Sequence, residues 1–500
     1  MNQTSKKIRL LSLFSLSLGI FFAADDQTVV VTVLPEIMND LSLNVTDIDK
    51  AAWTITGYLL GYVSIMPIAG RLSDMLNKKN IYLGALIIFI VGSIGTGMTN
   101  LNLEQILPTS NSNWTHSITW VIATRIFQAI GAGALIPISI AMVSDIFSTD
   151  ESGLAYGILG ASAEAGAIVG PIWGAVINHI WDWKTIFWLN VPVGIGIIIL
   201  VYFIIPKSSN SKKETFDAVG AVLVSFAIIS FTYAFSKISN SNIMFFIWCL
   251  IGIVVTLVFY FINRTNKKAI IPLDMFKNKT FISANIAHFC YGISLIIVMV
   301  TIPLMANSVL SGDSLTGGLM LTRLTVAMVP GAILGGYLSN KYDLRVFCIP
   351  SLLIGTFTLL LFSQWDNTIS DPYMSIQLIL CGLTFGVLIA PITVAAVNNT
   401  KVEFRGAAAG IITTSRFFGM TIGMAGLTAW GADRFQHLIA GIALPLPKTG
   451  ESSANFLERT KNFELDLIYA GTELFSNFFL IAAAIYFFTI LPFLFVRKQP

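Results

Sequence analysis

Charge is what this chain of 500 residues has least of. Lys, Arg, Asp and Glu make up 11% of it, against about 25% in soluble domains, while 55% of its residues are hydrophobic. Water is therefore not its main solvent. Cysteine is scarce too: Cys249, Cys290, Cys348 and Cys381 all sit in apolar runs without metal-ligand spacing, which excludes a disulfide framework and leaves them as packing residues. No nucleotide loop, metal cluster, nucleophile elbow or domain-sized polar segment occurs, so no enzyme or receptor is expected and no catalytic or metal-binding residue is assigned. The net charge of +3 is too small to argue for a nucleic-acid partner, and no basic cluster is interleaved with aromatics. Lys6, Lys7 and Arg9 precede a long apolar stretch that lacks a small-residue cleavage site, which reads as a retained first span and not as a signal peptide.

What the chain does have is a series of apolar runs, each long enough for a bilayer core about 30 Å thick. They lie near 10–34, 51–73, 80–99, 118–146, 153–178, 184–205, 217–236, 243–263, 280–307, 315–338, 346–365, 373–396, 405–430 and 472–496, fourteen in all. An even number places both termini on one side, and the Lys/Arg distribution chooses which. Of the 30 basic residues, 20 fall in the termini and the loops on their side, seven fall in the opposite loops, and Arg125, Arg323 and Arg416 lie inside spans. Both ends are thus expected in the cytoplasm. Outer loops are short except 100–117, rich in Asn and Ser, and 431–471, whose stretch 451–466 mixes charge with Phe456, Leu457, Phe463 and Leu465 as an amphipathic helix at the interface would. Sequons stand at Asn44 and Asn113 on outer loops.

Six ionisable residues interrupt the spans: Asp25, Asp26, Arg125, Glu164, Arg323 and Arg416. Each costs several kcal/mol there unless it faces a bundle interior or water and finds a partner. Taking about 1.5 Å per residue, Asp26 lies roughly 24 Å above the inner end of its span and Arg125 roughly 10 Å below the outer end of its own. The two share a level within about one helical turn, so the geometry allows an Asp–Arg pair between spans one and four, either for function or as a buried structural pair. Glu164, near the midplane in the small-residue run "GASAEAGAIVGP", loses hydration, which favours its neutral form and suits a proton carrier; the alternative is a protonated, hydrogen-bonded structural Glu. Arg323 and Arg416 have no carboxylate at matching depth in the sequence. His288 reads as a satisfied interior histidine.

Several of the segments match known motifs. "GRLSDMLNKKN", between spans two and three, resembles the loop signature of the major facilitator superfamily, with Gly70, Leu72, Ser73, Asp74, Lys78 and Lys79 matching and Met75 and Asn77 departing from it. "RIFQAIGAGALIP" in span four is similar to that family's R-x-x-Q-G-x-G pattern, with Ala129 in place of the first Gly. "GAIVGPIWGA" in span five resembles the antiporter signature through Gly166, Gly170, Pro171 and Gly174. "DQTVVVTVLP" and "WDWKTIFWLNVPVG" resemble stretches of the fourteen-span drug:proton antiporter-2 family, and "GGYLSNKYDLR" looks like a decayed second copy of the loop signature, with Asn340 where Asp would be.

The resemblance implies an all-α integral membrane protein of the major facilitator fold. Two six-helix bundles, 10–205 and 280–496, would flank two extra central helices within 206–279, with a cavity between the bundles. It further implies a gating loop (Gly70, Asp74, Lys78, Lys79), proton coupling through Asp26, Arg125 and Glu164, and no cofactor beyond the proton gradient. Trp53, Tyr58, Arg323 and Arg416 are candidates for the substrate cavity, since rings hold apolar and cationic ligands and arginines suit anionic ones. The expected function is proton-coupled export of amphipathic drugs or other small molecules by alternating access; the alternative is a dedicated exporter of one metabolite such as a siderophore, lipid or amino acid. The expected setting is the cell (inner) membrane. Expected partners are the bilayer, protons and a small-molecule cargo, with the chain a monomer and a periplasmic adaptor kept open.

Overall fold

A computed structural model describes residues 6–43, 48–99, 117–206, 217–238, 242–264, 266, 269–310, 314–446 and 452–496. The sequons at Asn44 and Asn113 and the basic segment 207–213 lie outside the described residues. Among those described, no strand occurs, and fourteen long helices follow one another: α1 (Lys6–Asp40), α2 (Ile48–Met75), α3 (Lys78–Gly97), α4 (Ile118–Ile146), α5 (Thr149–Ile180), α6 (Trp183–Ile204), α7 (Ala218–Ser236), α8 (Asn242–Asn263), α9 (Lys279–Ser308), α10 (Ser314–Lys341), α11 (Leu344–Phe362), α12 (Tyr373–Asn398), α13 (Arg405–Ile439) and α14 (Ser453–Phe488).

Local chemistry sets many of these boundaries. The side chains of Asn77, Ser117, Asp182, Asp217, Asn278, Asp343 and Ser452 each accept a backbone N–H in the first turn of the helix they precede. Prolines lie inside several helices, among them Pro171 in α5, as membrane helices tolerate where neighbours satisfy the freed carbonyls. Among the described residues, twelve helices are long and apolar enough to cross a membrane. The two left out are α2 and α13, whose sequences are diluted by glycine, threonine and serine. These two pack on each other, where small residues allow close approach.

In the first six helices, α1 packs on α5 and α6, α2 on α4, and α3 on α4 and α6; in the last six, α10 packs on α12, α9 on α13 and α14, and α11 on α12 and α14. The two sets meet through α5 against α10 and α2 against α13. Helices α7 and α8 pair with each other, with α7 touching α2 and α13. The outer side of α8 presents Ile243, Phe246, Leu250 and Phe261 to its surroundings, as a helix bathed in lipid would.

One expectation is corrected here. The stretch 451–466 does not form a separate interfacial helix, because from Ser453 onward it is the start of α14, which runs 36 residues. Half-buried Phe456, Phe463 and Leu467 form one stripe along the helix that continues into the apolar part of the span, so no break separates surface segment from span. With α13 at 35 residues, both helices reach roughly 52 Å and overrun a 30 Å core by about 20 Å. Arg434 of α13 and Glu473 of α14 bridge the two helices at 2.7 Å.

Candidate functional site

Two buried carboxylate–arginine pairs and one interhelical latch stand out. The first pair lies within the first helix set. Arg125 Nη1 of α4 donates to Asp26 Oδ2 of α1 at 2.6 Å, with the two side chains 1% and 0% exposed. Arg125 Nη2 also donates to the Asp26 carbonyl at 3.1 Å. The other carboxylate oxygen accepts from Gln128 Nε2 at 2.9 Å and from Asn190 Nδ2 of α6 at 2.8 Å. Gln128 Oε1 in turn accepts from Arg125 at 2.8 Å, and Asn190 is steadied by Ser93 Oγ at 3.0 Å. Tyr58 lays its ring 4.1 Å from the guanidinium carbon and Phe187 closes the other side at 5.4 Å. The anion of Asp26 is thus fully matched, as a buried charge must be.

Asn190 and Gln128 belong to this site and are not among the residues expected from the sequence. Gln128 sits one turn beyond Arg125 on the same helix face, and Asn190 is the polar residue of an otherwise apolar run, which is the signal that could have found them.

The second pair joins the helix sets. Arg416 Nη2 of α13, half-buried, donates to Glu164 Oε1 of α5, which is buried. Tyr291 and Phe417 place rings 5.5 and 5.8 Å from the Arg416 guanidinium, and Tyr62 meets Phe417 edge-on. His288 nearby is buried and places Nδ1 2.8 Å from the Ile412 carbonyl, an interior histidine with a backbone partner. The sequence offered neither Arg416 nor Arg323 a partner. The fold supplies both, because the partners come from the other helix set and from a loop: Arg323 Nη1 donates to both Asp371 oxygens at 2.9 Å and to Ser375 Oγ at 2.8 Å. That second arginine and Asp371 are 35% and 49% exposed. Trp53 packs against Tyr233 of α7.

The latch lies where α2 meets α13. Asp74 accepts from the backbone N–H groups of Gly406 at 2.7 Å and Ala407 at 2.8 Å, at the N-terminus of α13, where partial positive charge favours a carboxylate. A Cβ at Gly70 would stand 2.2 Å from the Gly406 carbonyl oxygen, so only glycine lets the chains touch there. Lys78 pairs with Asp145 at 2.7 Å, and Lys79 donates to the carbonyls of Tyr202 and Ile205 at the end of α6. The second, degenerate copy packs likewise: Gly336 of α10 abuts the Gly153 carbonyl of α5. In α5 the glycines of the antiporter-like stretch face α1, where a Cβ at Gly166 would come within 2.1 Å of the Phe21 carbonyl, at Gly170 within 2.2 Å of Thr28 Oγ1, and at Gly174 within 2.6 Å of Thr32 Oγ1.

Away from these pairs, an apolar cavity of about 710 Å³ opens between α9, α13 and α14, lined by Leu304, Leu427, Phe435, Phe475 and Phe478, with Glu464 at its rim.

A family profile described as Major Facilitator Superfamily matches residues 16–266, 215–424 and 284–500. A protein of Mycolicibacterium smegmatis named triacylglyceride transporter is 28% identical over 486 residues, 94% of this chain and 84% of its own. Multidrug resistance protein 3 of Bacillus subtilis is 30% identical over 426 residues, 84% of this chain and 79% of its own. Among solved structures, the human organic anion transporter MFSD10 superimposes with a TM-score of 0.60 at 13% identity, covering 96% of this chain and 99% of that one. A proton:xylose symporter, XylE, gives 0.61 at 12%, covering 96% and 95%. At such identities these two establish the shared fold alone.

Proposed function

The chain belongs to the major facilitator superfamily, and from that premise we propose that it exports amphipathic or apolar small molecules in exchange for protons by alternating access. It is a multi-pass membrane transporter and not an enzyme. The observation that carries the exchange reading is the pair of desolvated carboxylate–arginine contacts, Asp26–Arg125 within the first helix set and Glu164–Arg416 between the sets. A proton arriving at either carboxylate removes the counter-charge of a buried arginine, a change large enough to separate the pair. For Glu164 that separation would loosen α5 from α13, and a cargo that binds the loosened arrangement better would complete the population shift.

On this reading 10–205 and 280–496 are two six-helix halves that rock against each other, and α7 and α8 are the inserted pair. The excess of Lys and Arg on the side of the termini supports a cytoplasmic position for both, and with it a latch of Gly70 and Asp74 that closes the cytoplasmic end and long helices α13 and α14 that project outside. The test uses everted membrane vesicles and ethidium as probe. Uptake should require an inside-acid gradient, collapse with a protonophore, and vanish in Glu164→Gln and in Asp26→Asn. Uptake that persists at full rate in both variants overturns the assignment.

A second reading, one dedicated lipid cargo, is favoured by the relatives named triacylglyceride transporters and by the apolar cavity beside α14. Extraction of a fluorescent triacylglyceride from proteoliposomes without any ethidium flux would select it.

A further inference from the structure

One buried carboxylate takes no part in the contacts above. Asp25 precedes Asp26 on α1, is 6% exposed, and its Oδ1 is buried without a hydrogen bond from any described group. Asp26 uses the donors that lie on its side of α1. Asp25 sits about 100° around the helix from it, on the seam with α5, where its own carbonyl accepts from Thr28 Oγ1 at 3.2 Å and lies 2.5 Å from where a Cβ at Gly170 would stand.

The charged groups that flank this seam are already committed, while the hydroxyls of Tyr58 and Tyr62 on α2 and of Tyr156 on α5 are buried without a hydrogen-bond partner. Arg125 of α4 is spent on Asp26, and Glu164 of α5 is bound to Arg416. The Tyr58 ring of α2 covers Arg125. From α6, Asn190 serves Asp26, Lys184 pairs with Asp40 and Asp182, and the Tyr202 ring lies beside Lys79. The charge that does neighbour Asp25 is that of Asp26, and it is negative. Two adjacent carboxylates with cationic and amide donors for one only cannot both be anions out of water.

We propose that Asp25 is a second proton-binding group of α1, carrying a proton on its carboxyl in the arrangement seen while Asp26 remains the anion that holds Arg125. This rests on the proton-exchange reading and deepens it: the proton is held on the seam between α1 and the glycine stretch of α5, and leaves by rupture of its O–H bond to water, so the carboxylate left behind repels Asp26 and strains the Arg125 network. The sequence "DD" shows two acids; that one of them is orphaned is visible only in the fold.

Infrared spectroscopy of the purified full-length protein in lipid nanodiscs, recorded over a pH series, reads this without any cargo. The wild type should show a protonated-carboxyl C=O band that fades as pH rises. Asp25→Asn should lose that band, Asp26→Asn, which removes the neighbouring negative charge, should make it fade at lower pH, and Asp25→Glu should move it, which serves if Asp25→Asn does not fold. A band that survives Asp25→Asn unaltered, or that the wild type lacks, overturns the proposal. The exchange reading fails separately, when wild-type ethidium uptake is indifferent to the gradient although the band behaves as stated.

Discussion

At the residue scale, burial decides which charged contacts matter. Arg125 without Asp26, or the reverse, leaves an unmatched ion in a dry interior, a loss of about 3–5 kcal/mol. Asn190→Ala removes one donor from that carboxylate and should lower stability by about 1–3 kcal/mol, measured by thermal unfolding in detergent. Glu164→Gln and Arg416→Gln, singly and together, should show a coupling energy of about 0.5–3 kcal/mol in a double-mutant cycle, since each removes the other's partner. Arg323 and Asp371 form a contact of similar geometry with a smaller effect, because water reaches both. Ser375, and then Arg323, hold the Asp371 carboxyl below the usual carboxylate range. Its contribution is therefore present above the unfolded-chain value and is lost as pH falls through the folded one. Being half exposed, it is worth under about 1 kcal/mol, so Asp371→Asn should barely move the melting temperature at neutral pH.

Elements are joined here by the absence of side chains. Gly166→Val would force a branched side chain into the Phe21 carbonyl, so α1 and α5 could not approach, and the variant should fail to yield a monodisperse protein on size exclusion. Gly84→Ala on α3 meets nothing within 4 Å and should leave stability unchanged or slightly raised. Asp74→Asn weakens the charge-assisted caps on Gly406 and Ala407, and hydrogen exchange of the first turn of α13 should speed up relative to the wild type. The glycine stretches are legible in the sequence as sites of close approach. Which helix each approaches is not, since a small residue announces a contact without naming its partner.

For the whole molecule, the charge asymmetry makes a prediction about direction. In a chain freed of its four cysteines, Lys6→Cys should react with an impermeant maleimide only after cells are opened, and Ala440→Cys should react in intact cells. The sequence alone determined that the chain lives in a membrane as a helical bundle, because composition and run length follow from the solvent each residue tolerates. It placed helices at all fourteen apolar runs, and it brought Asp26 and Arg125 to one level, because rise per residue is constant along a helix. Depth is a coordinate along the chain's own axis. Rotation and neighbourhood are not, and these the tertiary structure decided: Glu164 with Arg416, Arg323 with Asp371, Asn190 with Asp26, and the solitude of Asp25 next to a satisfied twin. It also decided that 453–466 continues a span, because a helix stops where its hydrogen bonds stop and not where its hydropathy falls. Pairing across more than a hundred residues depends on how helices turn and which surfaces they bury, and that is settled only when all of them pack at once.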